Sequence, residues 1–155
     1  MGSNENKEIL KNLADILSSG DMSKVNEVLD DNFSYRSTAG EEIHGPEAMM
    51  DFFGMYEEAF SDFNTEWQDM VAEGDTVYFQ YRQTGTHTGE FWGIPASNNK
   101  MDILVTSRAK LKNGKLVEVY DSFDTMELLK QLDALPEEST RKLEEFSNRM
   151  PGRRM

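Results

Sequence analysis

The chain has 155 residues, 37% of them hydrophobic, enough for one compact core and short for two. Its 29 acidic residues outnumber 16 basic ones for a net charge of -13, and no basic block precedes Arg153 and Arg154, which argues against nucleic acid and anionic membranes as partners. The absence of cysteine removes disulfides, thiolate nucleophiles and Cys-held metals, and the charged opening Asn4 to Glu8 with no long apolar run before Gly20 leads us to expect a cytoplasmic protein.

Ile9, Leu10, Leu13, Ile16 and Leu17 recur at helical spacing and predict an amphipathic helix over residues 5–19, with Gly20 as its C-cap. Asp21 is placed to cap a short second helix over 22–30 that carries Val25, Val28 and Leu29. Pro46 suits the first turn of a third helix, 46–60, whose stripe of Met49, Phe52, Phe53, Tyr56 and Phe60 reads first as core. From Phe63 the pattern changes to strands, at 63–72, 76–88, 101–111 and 116–123; Val77, Phe79 and Tyr81 alternate with Tyr78, Gln80 and Arg82. Glu73-Gly74-Asp75 and Lys112-Asn113-Gly114 have the composition of hairpin turns. Helices followed by a curled antiparallel sheet make an α+β layout.

The apolar residues Trp92, Ile94 and Pro95 give the loop 90–100 two readings, a flap over a cavity mouth or a segment packed outside the sheet. Beyond Pro136 the chain turns polar. Glu137/Arg141, Glu138/Lys142 and Glu145/Arg149 pair at i,i+4 beside only Leu143, Phe146 and Met150, so the chain divides into a domain at 1–135 and a weakly docked helical tail at 136–155.

Two histidines, His44 and His87, are too few for a zinc site, and no EF-hand spacing accompanies the carboxylates, so no metal is expected. Serine-hydrolase elbows, phosphate-binding loops and dinucleotide fingerprints are likewise missing, and no cofactor is expected. What remains is a site of carboxylates, hydroxyls and aromatic walls. Along the last strand Glu118, Tyr120, Ser122 and Asp124 share one face, and Val117, Val119, Asp121 and Phe123 share the other. Parity alone leaves open which face is inside. An inward Asp124 would have its pKa raised by burial toward the range of a proton shuttle. Yet Asp124-Thr-Met-Glu127 is also a capping-box pattern ahead of Met126, Leu128, Leu129 and Leu132, and a capping carboxylate has its pKa lowered, so the two roles compete. Asp121 reads as a solvent-facing edge charge.

The stretch Gly85-Thr-His-Thr-Gly-Glu-Phe-Trp-Gly-Ile-Pro95, followed by Glu118 and Asp124-Thr-Met-Glu-Leu-Leu-Lys-Gln-Leu132, resembles the SnoaL-like polyketide cyclase (ester cyclase) family of the NTF2-like fold. Gly45-Pro-Glu-Ala48, Ala59-Phe-Ser-Asp-Phe63 and Val71-Ala-Glu-Gly-Asp75 extend the resemblance over roughly 26–135 in the same order and spacing. It implies an NTF2-like (cystatin-like) cone, with helices packed on a strongly curved antiparallel sheet. It also implies a single acid/base aspartate at the position of Asp124, working without metal or cofactor in an intramolecular aldol-type condensation of a small, hydrophobic, polyketide-like carbonyl compound. A homodimer through sheet faces is implied as well, and the apolar Val117, Val119 and Phe123 offer it a face. His87 belongs to the most recognisable segment; Tyr120 stands where many members have tryptophan, and Lys110 where they have arginine or another polar group. With the aromatic walls Phe53, Tyr56, Trp67 and Trp92 these are the candidate pocket residues. The first strand carries Asn32, Phe33, Ser34 and Tyr35 where many members have histidine. A non-catalytic small-molecule binder and a ketosteroid-isomerase-like proton-transfer enzyme are the competing readings on the same fold.

Overall fold

Leu10, Leu13 and Ile16 form the buried stripe of the first helix, α1 (Ser3–Ser19), in the computed structural model, which describes residues 2–19 and 21–152. Gly20, the expected cap, lies outside the described residues. A 3₁₀ turn (Met22–Lys24), whose Ser23 N–H donates to Asp21 Oδ1, leads into the single turn α2 (Val25–Val28). The helix expected to reach residue 30 stops there. Leu29 is extended, with φ -90° and ψ 133°, because it pairs with Leu116 and fills a core position, 1% exposed. It opens β1 (Leu29–Ser37), which turns back into β2 (Glu42–His44) before α3 (Pro46–Ala59). Periodicity missed both strands, since β1 opens on the polar run Asp30, Asp31 and Asn32, without alternation.

Four further strands follow: β3 (Phe60–Glu73), β4 (Thr76–His87), β5 (Lys100–Lys112) and β6 (Lys115–Ser122). The sheet order is β2-β1-β6-β5-β4-β3. Its neighbours are antiparallel except β1 and β6, which run parallel, so the expected all-antiparallel sheet is a mixed one. Asn113 (φ 52°) and Gly114 (φ 77°) form the two-residue turn between β5 and β6, both in the left-handed region that such a hairpin requires. The chain then forms α4 (Thr125–Gln131) and α5 (Glu137–Arg149). Helix α5 buries no residue and carries the Arg141–Glu145 and Lys142–Glu138 pairs at 2.8 and 3.2 Å. Among the described residues no helix is long and apolar enough to cross a membrane.

Curvature comes from interruptions in the ladder. Register shifts between Ser61 and Asn64 and between Trp67 and Met70 bend β3, and at the first Asp62 (φ 52°) accepts the Thr86 N–H at 3.0 Å. A third shift decides which face of β6 looks inward. Leu111 pairs with Leu116 and Lys110 with Glu118, leaving Val117 as an extra residue on β6. With Leu116 buried, strict alternation would send Glu118, Tyr120 and Ser122 inward. The bulge reverses this, so Val119, Asp121 and Phe123 face the helices instead. Of the apolar residues expected to offer a dimer face, Val119 and Phe123 are thus turned into the molecule, and the bulge residue Val117 is half-buried.

Gly89 sits where only hydrogen fits. Its N–H and that of Thr88 both donate to the Ala59 carbonyl at 3.0 Å, and a Cβ there would lie 2.5 Å from the Glu58 carbonyl oxygen. Gly54, inside α3, has nothing within 4 Å of such a Cβ. We expect Gly89→Ala to destabilise by about 1–3 kcal/mol through backbone overpacking. Gly54→Ala should stabilise by roughly 0.5–1 kcal/mol through helix propensity. Urea unfolding of the two variants checks both signs.

Candidate functional site

The inner face of the sheet, α1 and α3 surround a cavity of about 300 Å³. Its walls are largely aromatic: Phe52, Phe53 and Tyr56 from α3, Trp67 from β3, Phe79 and Tyr81 from β4. Trp67 stacks on Phe79 at 5.0 Å, and Phe52 packs at 5.2 Å from both Tyr35 and Tyr56. The acids on this lining are Asp121 and Glu57, and no described lining residue is Lys, Arg or His.

Asp121 is the polar centre of the cavity, 5% exposed. The Tyr35 and Tyr81 hydroxyls donate to its Oδ2 at 2.8 and 2.6 Å, and the Ser107 hydroxyl donates to its Oδ1. Register explains the convergence. Ser107 is directly across β5 from Asp121, Tyr35 lies on β1 two residues before Ser37, which pairs with Asp121, and Tyr81 reaches over from β4. Burial pushes the Asp121 pKa above the ordinary carboxylate range, against the opposing pull of its bonds from Ser107, Tyr81 and Tyr35. The Tyr35 and Tyr81 phenols are driven up in turn, first by burial and then by the charge on Asp121, so both remain protonated donors. An ionised carboxylate has about four acceptor positions. Three are taken, leaving one, on Oδ1.

Asp121, expected at a solvent-facing edge, is therefore the buried acid of the cavity, and the Val117 bulge is the reason. Asp124 is exposed and absent from the cavity lining; it caps α4, accepting the Glu127 N–H at 3.0 Å. Phe53, Tyr56 and Trp67 line the cavity, whereas Tyr120, Lys110, His87 and Trp92 do not. Tyr120 and Lys110 sit on the outer face, paired in register with Arg108 and Glu118. His87 is fully buried outside the cavity: the Ser97 N–H donates to Nδ1 at 3.2 Å, which puts the proton on Nε2, and burial holds the imidazole pKa below its usual value. Trp92 stacks on buried Phe91 at 4.4 Å, which ties the 90–100 loop to the end of α3. Tyr35, Tyr81 and Ser107 lie on three different strands, and local spacing does not group them. The one available signal was Asp121 itself, an acid flanked at i-2 and i+2 by the apolar Val119 and Phe123.

The Leu-Leu-Lys-Gln-Leu segment has a structural task. Leu128 and Leu132 are buried, and the Gln131 amide exchanges two hydrogen bonds with the Asp102 backbone, at 2.9 and 3.0 Å, clamping α4 to β5. No three described His, Asp or Glu side chains gather as a metal would require.

A family model described as SnoaL-like polyketide cyclase matches residues 7–132. The chain is similar in fold to a protein of Jannaschia sp. CCS1 described as a SnoaL-like polyketide cyclase, with TM-score 0.78 and 23% identity over 86% of this chain and 95% of that one. AclR of Streptomyces galilaeus, described as a hydroxylase, aligns with TM-score 0.72 and 24% identity over 86% and 99% of the two chains. IdmH of Streptomyces antibioticus, described as a polyketide cyclase, aligns with TM-score 0.69 and 24% identity over 83% and 98%. Among curated proteins none matches significantly.

Because Asp124 holds a helix N-terminus, its replacement is a stability experiment. Asp124→Ala should cost about 1 kcal/mol and Asp124→Asn only a few tenths, since asparagine caps as well as aspartate. Thermal unfolding of the two variants measures the difference; equal losses would mean that the Glu127 N–H bond contributes nothing.

Proposed function

Since the chain belongs to the SnoaL-like polyketide cyclase family, we propose that it carries out acid/base chemistry on a small hydrophobic carbonyl compound in its cavity, with Asp121 as the proton shuttle. One observation carries this reading: an aspartate sunk in an aromatic cavity, oriented by three hydroxyls, with one acceptor position free and no described cation on the lining. The shuttle role expected of Asp124 passes to Asp121, three residues earlier.

In the proposed reaction ionised Asp121 takes a proton from a carbon beside a carbonyl, and the bonding pair moves into the enolate. The enolate carbon attacks a second carbonyl of the same molecule, forming the carbon–carbon bond and an alkoxide. Protonated Asp121 returns its proton to that alkoxide, so the carboxylate is regenerated and no atom is lost. Its raised pKa suits both halves, because the carboxylate is a stronger base than a solvated one and its acid form is still populated nearer neutrality. The Tyr35, Tyr81 and Ser107 hydroxyls hold the reacting oxygen in place while the charge comes and goes. Flat rings on the walls fit a flat, conjugated carbonyl compound.

The proposal is tested with 2-tetralone, a two-ring ketone with acidic C–H bonds beside its carbonyl, by following deuterium entry from D₂O by NMR. Wild-type protein should accelerate exchange. The rate should rise with pH through the Asp121 pKa, because the ionised form is the base, and the midpoint should lie above the ordinary value of about 3.9. Asp121→Asn should lower the rate by about a hundredfold or more. Exchange that survives in Asp121→Asn would make the cavity a binding site without this chemistry.

A further inference from the structure

Three tyrosines line the cavity, and their hydroxyls are engaged differently. Tyr35 and Tyr81 both direct their hydrogens at Asp121 Oδ2. The third, Tyr56 on α3, is 6% exposed, and its hydroxyl has no hydrogen-bond partner among the described residues. Neither is that oxygen sealed in: among the described residues the fully enclosed side-chain atoms without a partner are Glu41 Oε2 and His87 Nε2, so the Tyr56 hydroxyl keeps access to the cavity its residue lines.

The ring itself has no freedom to seek a partner elsewhere. Phe52 meets it edge-on at 5.2 Å, Phe91 lies at 5.0 Å, Phe63 at 5.6 Å, and Phe60 stacks at 6.3 Å. A hydroxyl fixed in an apolar wall without a partner costs free energy that an acceptor atom on a ligand would recover. The other uncharged polar residues on the lining outside the Asp121 cluster are Asn64, Thr65 and Gln83, all exposed or half-exposed, where water can serve them. Burial first, and then the charges of Glu41 and Asp121, drive the Tyr56 phenol well above its ordinary pKa. It therefore stays a neutral donor as Asp121 ionises.

We propose that the Tyr56 hydroxyl donates a hydrogen bond to the substrate's carbonyl oxygen, making Tyr56 a second catalytic residue, the electrophilic partner of Asp121. The inference rests on the proton-shuttle reading above. As the carbon's proton passes to Asp121, negative charge collects on the carbonyl oxygen, and the Tyr56 bond strengthens as that charge develops. Tyr56 keeps its own proton. The pair of electrons returns through the enolate to form the new bond, so only Asp121 changes protonation state. The fixed ring makes this donor ready before substrate arrives, whereas Tyr35 and Tyr81 serve the base.

The test uses 2-tetralone labelled with ¹³C at its carbonyl, bound to wild-type protein, Tyr56→Phe and Asp121→Asn. Tyr56→Phe keeps the ring packing, and circular dichroism confirms its fold. In wild type and Asp121→Asn the bound carbonyl carbon should resonate downfield of its position in aprotic solvent; in Tyr56→Phe that shift should be lost. Deuterium exchange in Tyr56→Phe should fall about a hundredfold, as on removing one oxyanion donor. Its affinity should fall by less than its exchange rate, because the bond made to the neutral carbonyl strengthens as charge develops. A downfield shift that persists in Tyr56→Phe, an unshifted wild-type carbonyl or undiminished exchange in the variant would overturn the proposal. Failure of the shuttle reading looks different: exchange then survives in Asp121→Asn, while the carbonyl shift still depends on Tyr56.

Discussion

The burial of one carboxyl group organises this molecule. Asp121 is drawn into an apolar interior, where a lone carboxylate would cost several kcal/mol. Three hydroxyls from three separate strands offset part of that cost. Because β1, β4 and β5 each supply one donor, their register is tied to a single point on β6. The parallel pairing of β1 with β6 sets Tyr35 beside Val119, one inward-facing position from Asp121, from which its hydroxyl reaches the carboxylate. No cation completes the balance on the described lining, and the residual cost appears as a raised pKa. A fully compensated acid, salt-bridged to arginine, would be a poorer base; incomplete compensation is what suits this one to the proposed role.

The cavity exists because the sheet is not a regular ladder. Two shifts in β3, one in β1 and one in β6 interrupt it, and aromatic side chains line the space without closing it. The rings pack mostly on one another, so the wall is rigid. The shape thus depends on bulges and ring contacts, while the proposed chemistry calls on four hydroxyl-bearing residues and one acid.

Much of the fold could be read from the chain. Helical spacing located α1 and α3, alternation located β3 to β6, and Asn113-Gly114 announced its hairpin. Periodicity gave neither N-terminal strand, and only the family resemblance put a first strand at Asn32 to Tyr35, because Asp30, Asp31 and Asn32 show no period and β1 owes its extended form to pairing with a strand about 85 residues away in sequence, which local propensity does not encode. The site was half legible. The aromatic walls Phe53, Tyr56 and Trp67 are legible in the sequence, whereas the acid on the cavity lining is Asp121 and not Asp124. Both acids stand near the end of the last strand, and a parity argument that starts from the plainly apolar Leu116 points to Asp124. One extra residue at Val117 inverts it. Bulges leave little trace in composition, and the remaining clue was the apolar company of Asp121 at Val119 and Phe123. His87 and Trp92 belong to a recognisable segment that builds the loop beside α3 rather than the cavity.

Asp121 is, above all, an acid held out of water. The most direct test of this is a ¹³C NMR titration of the Asp121 carboxyl carbon, assigned by its disappearance in Asp121→Asn. The structure predicts a midpoint clearly above the ordinary aspartate value of about 3.9. A midpoint at or below that value would mean that the three hydroxyls outweigh burial, and would contradict the assignment of Asp121 as a proton shuttle.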